Sequence, residues 1–199
     1  ALFLQKWKDF QIGFQGANGI TQVDNGPSAE VKGAEIQMMW MATDNLLISS
    51  STAFYKSKLK SDYSNFDAAG NVVDVNAPAG TSLPITPKFK GSLLARYKFN
   101  IGEYDAHLQG SLAHSGSAAS RLKISDNAII GDIEANTTLD LSAGVEKGNY
   151  SLDLFIQNLT NENASLYKTA ECTESVCGVQ AYGVRPRPRT IGVKFTQKF

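Results

Sequence analysis

The chain has 199 residues, and its 19 basic and 19 acidic side chains cancel to a formal net charge of zero. That balance excludes the electrostatic footprint of a nucleic-acid binder or of a polybasic membrane anchor. No apolar run reaches the roughly 18 residues of a transmembrane helix, yet a mean hydropathy of −0.20 is compatible with a β-barrel, in which only alternate residues face lipid.

Strand-like alternation appears about eight times along the chain. The first segment spans Leu2 to Phe14. The second, Val31 to Ala42, sets Ile36, Met38, Trp40 and Ala42 on one face against Glu35 and Gln37 on the other. The third, Asn45 to Leu59, alternates least cleanly. The fourth, Lys88 to Phe99, opposes Phe89, Gly91, Leu93, Ala95, Tyr97 and Phe99 to Lys90, Ser92, Arg96 and Lys98. The fifth runs from Tyr104 to His114 with His107, Gln109 and Ser111 on its wet face. The sixth, Thr137 to Glu146, opposes Leu139, Leu141, Ala143 and Val145 to Asp140, Ser142 and Glu146. The seventh, Tyr150 to Gln157, opposes Tyr150, Leu152, Leu154 and Ile156 to Ser151, Asp153 and Gln157. The eighth carries Ile191, Val193, Phe195 and Phe199 on one face and Gly192, Lys194, Thr196 and Lys198 on the other. A period of two residues with one greasy and one wet face is the signature of a half-solvated strand. Helix-period stretches are nearly absent.

The connections alternate strictly between short and long. Thr43-Asp44-Asn45, Asn100-Ile101-Gly102 and Lys147-Gly148-Asn149 are tight turns built from residues that tolerate left-handed backbone. The connections at about 15–30, 60–87, 115–136 and 158–188 are long and read as structureless. A compact soluble domain seldom tolerates so many long loops, whereas outer-membrane barrels pair tight periplasmic turns with long extracellular loops. Trp40, Tyr97, Phe99, Tyr104, Tyr150, Phe195 and Phe199 gather near the short-turn end, where amphipathic rings meet the headgroups. The expected fold is therefore an all-β, antiparallel transmembrane barrel wall occupying residues 1–199. The chain opens at Ala1 without a methionine, already inside a strand-like pattern and without a basic leader or cleavage site. It is expected to be a piece of a longer protein.

Several motifs carry a resemblance. The block from Tyr182 through Arg185-Pro186-Arg187-Pro188-Arg189 to Val193, followed by a strand ending in Phe199, resembles the C-terminus of TonB-dependent outer-membrane receptors. Asn158-Leu159-Thr160-Asn161 is similar to that family's N-L-x-N/D segment, and Thr86-Pro87-Lys88-Phe89-Lys90 to its proline-led strand start. Gly33-Ala34-Glu35 resembles a G-x-E strand start, and Trp7-Lys8-Asp9-Phe10-Gln11 a W-x-D-x-Q strand. The resemblance implies a barrel of about 22 strands, plugged by an N-terminal domain and driven through TonB from the inner membrane. This chain would be the C-terminal portion of that barrel, about a third of its strands, with the plug domain and TonB box absent. It implies import of a scarce nutrient, an iron–siderophore, vitamin B12 or a glycan, in the outer membrane of a Gram-negative bacterium. The implied partners are outer-membrane lipid and lipopolysaccharide, the TonB complex through the plug, the assembly machinery that reads Phe199, and the imported ligand. A complete small barrel of eight strands, structural or adhesive, is the alternative.

Candidate sites are few. Cys172 and Cys177 lie in one long loop; their spacing is not C-x-x-C and no histidine is near, so a loop disulfide in an oxidising compartment is expected. Tyr63 and Phe66, in a long loop that mixes aromatic and polar groups, are the candidate ligand contacts. Asp126, Asp132 and Glu134 lack the spacing of a calcium loop, so no metal is expected. His107 and His114 have no nucleophile placed for catalysis and read as lumen or rim residues, so no enzyme activity and no cofactor are expected. Arg185, Arg187 and Arg189 stand between prolines at the start of the last strand, solvated or touching anionic lipid.

Overall fold

The computed structural model describes residues 1–15, 20–66, 68–170, 178 and 180–199. Eight strands form one antiparallel sheet. They are β1 (Leu2–Trp7), β4 (Ala29–Thr43), β5 (Leu46–Leu59), β8 (Phe89–Ile101), β9 (Tyr104–Ser115), β10 (Asn136–Lys147), β11 (Tyr150–Gln157) and β14 (Thr190–Gln197). Each strand lies beside its predecessor in the sheet, an up-and-down meander. Among the described residues β1 pairs only with β4 and β14 only with β11. The sheet is open, a section of barrel wall, and it does not close into the small eight-stranded alternative.

The register carries the alternation across the whole sheet. Trp40 faces Ile48, Ile48 faces Ala95, Ala95 faces Gly110 and Gly110 faces Leu141, all on one surface. That outer surface exposes Ile36, Met38, Trp40, Leu93, Leu108, Leu154, Val193 and Phe195, each at 45% or more. So wide an apolar face is not left to water by a soluble protein. At the short-turn end Tyr97 stacks on Phe99 and Tyr150 on Phe195.

Two expectations are corrected. The first expected strand, Leu2 to Phe14, is broken: Asp9 takes φ +49°, and β2 (Gln11–Gln15) leaves the wall to pair with β3 (Thr21–Asn25). Asp tolerates the left-handed region better than most residues, which makes it the point of the bend. The long connections are not structureless either. They carry the β2–β3 hairpin, β6 (Tyr63–Phe66) with β7 (Val72–Ala77), the helix α1 (Ile124–Ile130), and β12 (Tyr167–Ala170) with β13 (Ala181–Val184).

The hydrophobic core sits at the loop end of the wall. Ala29, Val31 and Leu59, on the inner face, pack with Tyr63 and Ala77 of the β6–β7 hairpin and with Leu83 and Leu122 from two loops. The Leu83 N–H donates to the Ser57 hydroxyl at 3.2 Å, which fixes the loop to the wall. The loops therefore fold inward over the inner face. Beneath them the Phe3 ring crosses Gly33, where a Cβ would stand 2.1 Å from the Phe54 carbonyl and 2.7 Å from Phe3 Cζ. Only glycine fits there, which accounts for the glycine of the G-x-E segment.

Candidate functional site

The inner face of the wall is mostly polar, with Met39, Met41, Leu47, Leu94 and Phe155 as apolar exceptions. Midway along it runs a shallow trough lined by Ser49, Ser51, Ser92, Leu94, Ser111 and Asp140. Toward the short-turn end the side chains lengthen and carry charge. Arg96 Nη1 donates to Gln109 Oε1 at 3.3 Å. One register row then crosses five strands: Lys98, His107, Gly144, Asp153 and Lys194. His107 Nε2 reaches Asp153 Oδ1 at 3.4 Å, although β9 and β11 are separated by β10, roughly 10 Å between backbones. Gly144 makes this possible. A Cβ at that position would lie 2.2 Å from Asp153 Oδ1 and 2.5 Å from His107 Cε1. The sequence places both groups on the wet face but does not pair them. The available signal is a glycine on the wet face of a strand whose other wet positions are polar.

At the loop end, Asn158 and Asn161 hold left-handed backbone at φ +50° and +55°. Asn158 is buried, with 4% exposure. Its N–H donates to Asp140 Oδ1 at 2.7 Å, its Nδ2 to the carbonyls of Glu162 (2.9 Å) and Arg187 (2.8 Å), and its Oδ1 accepts the Glu162 N–H at 2.8 Å. Asn161 Oδ1 accepts the Arg189 N–H at 3.0 Å. The N-L-x-N segment is thus a clasp joining the end of β11 to the arginine–proline run that leads into β14. The Glu162 carboxylate accepts N–H groups from Ala164, Thr137 and Asn163, which hold it below the usual carboxylate range.

The two candidate ligand residues separate. Tyr63 is 7% exposed within the loop core, and burial together with the carboxylates of Asp24 and Asp126 raises its phenol above the usual value. Phe66, at 63% exposure, stands open to solvent on the same hairpin. Asp126, Asp132 and Glu134 go to different neighbours: Ser125, Asn127 and Lys168. Among the described residues no group of three acidic, histidine or cysteine side chains could hold a metal. His114 lies on the outer face, bonded through Nδ1 to Thr137 Oγ1 at 2.8 Å, with the Phe89 ring 5.8 Å away. The Cys172–Cys177 pair falls outside the described residues.

An open antiparallel wall, apolar outside and charged inside, with tight turns at one end and structured loops at the other, is the sector of a large outer-membrane barrel. A family profile described as "TonB dependent receptor-like, beta-barrel" matches residues 1–159. The chain belongs to the TonB-dependent receptors. Solved structures agree on the fold. The ferric yersiniabactin uptake receptor FyuA of Yersinia pestis aligns over 100% of this chain and 27% of its own at TM-score 0.72 and 15% identity. The ferric-catecholate import receptor Fiu of E. coli K12 aligns over 100% and 24% at TM-score 0.66 and 18% identity. The siderophore receptor PiuA of Acinetobacter baumannii aligns over 98% and 24% at 0.68 and 18% identity. This TonB-dependent receptor chain spans about a quarter of the length of each. No curated protein matches its sequence. The family is one of outer-membrane transport receptors in Gram-negative bacteria, not a class of enzymes.

Proposed function

We propose that this chain is the C-terminal wall sector of a TonB-dependent importer of a scarce nutrient, working in the outer membrane of a Gram-negative bacterium. The observation that carries the reading is the polar inner wall of a sheet open at both edges. Lys90, Arg96, His107, Asp140, Asp153 and Lys194 are long or charged groups on one inner surface, suited to a wide lumen rather than to the packed interior of a small barrel. In this reading a plug domain, carried by sequence outside residues 1–199, fills the lumen and couples to TonB. Phe66 and the loop cluster face the arriving ligand, and Phe199 is read by the assembly machinery. An oxidised Cys172–Cys177 pair would close a short external loop.

The proposed ligand is a ferric siderophore before vitamin B12 or a glycan, a reading supported by the ferric-yersiniabactin, ferric-catecholate and siderophore receptors that share this fold. Binding to the intact receptor, followed by quenching of its tryptophan and tyrosine fluorescence, tests this. Saturable quenching by a ferric siderophore supports it. Quenching by cobalamin or an oligosaccharide alone would redirect the ligand assignment, and failure of every ligand to bind would count against import.

A further inference from the structure

We propose that the strap formed by residues 83–87 is a strained latch, set by Ile85, that holds the 115–136 connection down over the inner face and releases it when Ile85 relaxes. The proposal rests on the reading of this end as the outer mouth of the lumen and adds a moving part to it. Ile85 takes φ +57°, the left-handed region, where a β-branched side chain is a true outlier. Among the described residues the other non-glycine residues in that region are Asp9, Asn158 and Asn161, types that tolerate it. The Ile85 side chain is 49% exposed, so its own packing does not offset the strain.

The strap has one movable joint. Leu83 and Thr86 each precede a proline and are confined to extended backbone. Pro84 and Pro87 have φ fixed by their rings. Ile85 alone keeps both torsions free. The flanks of the strap are pinned to β5. On the near side the Leu59 N–H donates to the Thr81 carbonyl at 2.8 Å and the Gly80 N–H to the Leu59 carbonyl at 2.9 Å. On the far side the Tyr55 N–H donates to the Lys88 carbonyl at 2.9 Å. A turn at Ile85 therefore moves the strap and leaves the wall in place.

In its left-handed setting Ile85 donates its N–H to the Ala119 carbonyl at 2.9 Å. Among the described residues this is the one backbone hydrogen bond between the 60–87 and 115–136 connections. Leu83 in the core with Leu122, and α1 against β7, complete the hold. Turning Ile85 to extended backbone relieves the strain, breaks the bond to Ala119 and loosens Leu83 against Leu122, which frees the 115–136 connection. On its other side that connection is tied to β12. Arg121 Nη2 donates to Thr169 Oγ1, and Lys168 Nζ meets Glu134 Oε1 at 3.3 Å. The seam that parts is therefore the one at Ile85. Strain set against one hydrogen bond and a few apolar contacts brings the closed and released settings close in free energy, so that small differences in contact select between them.

The test uses the intact receptor in non-ionic detergent. Ile85→Gly and Ile85→Asn accept left-handed backbone and should favour the closed latch, whereas Ile85→Val keeps the strain. Two readouts follow the latch without any ligand: hydrogen-exchange protection of the N–H at position 85, and resistance to trypsin cleavage after Lys123 in the 115–136 connection. Both should rise about tenfold in the first two variants and stay at the wild-type level in Ile85→Val. Protection of the Leu94 and Ser111 N–H groups, in the wall, should not change. Unchanged protection and cleavage in the first two variants would overturn the latch. An equal rise at Leu94 and Ser111 would also overturn it, because that marks general stabilisation, and so would Ile85→Val behaving like Ile85→Gly. A receptor that shows the expected changes but binds no ferric siderophore, cobalamin or oligosaccharide would uphold the latch and count against import. One that binds a ferric siderophore with exchange unchanged across the variants would overturn the latch alone.

Discussion

The Asn158 side chain donates to the Arg187 carbonyl at 2.8 Å across 29 residues of sequence. That bond anchors the loop before β14 to the end of β11, while the same side chain holds Glu162 from both its N–H and its C=O. Asn158→Ala leaves these buried groups unpaired and places alanine at φ +50°. It should cost about 3 kcal/mol, read as a lowered urea midpoint for the receptor refolded in lipid vesicles. Asn158→Asp keeps an acceptor for the Glu162 N–H but loses both donors and sets a carboxylate beside Asp140, so it should be no milder than alanine. A midpoint unchanged by either variant would remove the clasp from the stability of the wall.

The acid limb of stability should run through Glu162. Its carboxylate is held below the usual range by the N–H groups of Ala164, Thr137 and Asn163. A lowered folded value means that the stabilisation is complete above the ordinary carboxylate value of 4.5. It is lost as pH falls through the lower, folded value. Hydrogen exchange at Ala164 and Thr137 should therefore accelerate, relative to the chain average, only below about pH 4.5, and Glu162→Gln should flatten that dependence. An identical acid profile in the variant would assign the effect to another carboxylate.

Gly144→Ala should separate His107 from Asp153. The new methyl would stand where Asp153 Oδ1 and His107 Cε1 now lie, and both side chains must turn away. The receptor should still insert, because the displaced atoms are the ends of side chains and not backbone. The readout is the His107 ring resonance across a pH titration: the variant should titrate as Asp153→Asn does. A variant curve matching wild type instead of Asp153→Asn would show that the pair does not depend on the glycine.

Deleting Phe199 should lower the amount of receptor that reaches the membrane more than it lowers the stability of what does. Phe199 is fully exposed and lies beyond the last paired residue of β14, so its loss removes little packing. Pulse-labelled insertion and the urea midpoint of the inserted fraction separate the two effects. Unchanged insertion would remove the assembly role.

The wall was legible in the sequence because its physics is local. Alternation from Ile36 to Trp40 or from Leu152 to Ile156 needs only a period of two, and Asn100-Ile101-Gly102 announces its own turn. Strand ends moved by a few residues, as with Ala29–Thr43 against the expected Val31 to Ala42. What escaped depends on contacts between distant segments. Leu83 and Leu122 look like loop residues until the fold brings them onto Leu59, so the loops read as structureless. Tyr63 reads as an open aromatic for the same reason. The His107–Asp153 pair spans an intervening strand, which no alternation pattern reports.

The shared core at the loop end has an evolutionary consequence. Tyr63 and Ala77 of one connection, Leu83 beyond them and Leu122 of the next connection fill a single volume against the wall. A lineage that altered one of these loops would disturb the packing of the other. The two loops should therefore be inherited as a cassette, with viable chimaeras exchanging both together and single exchanges yielding inserted receptors whose outer surface is readily cut by proteases.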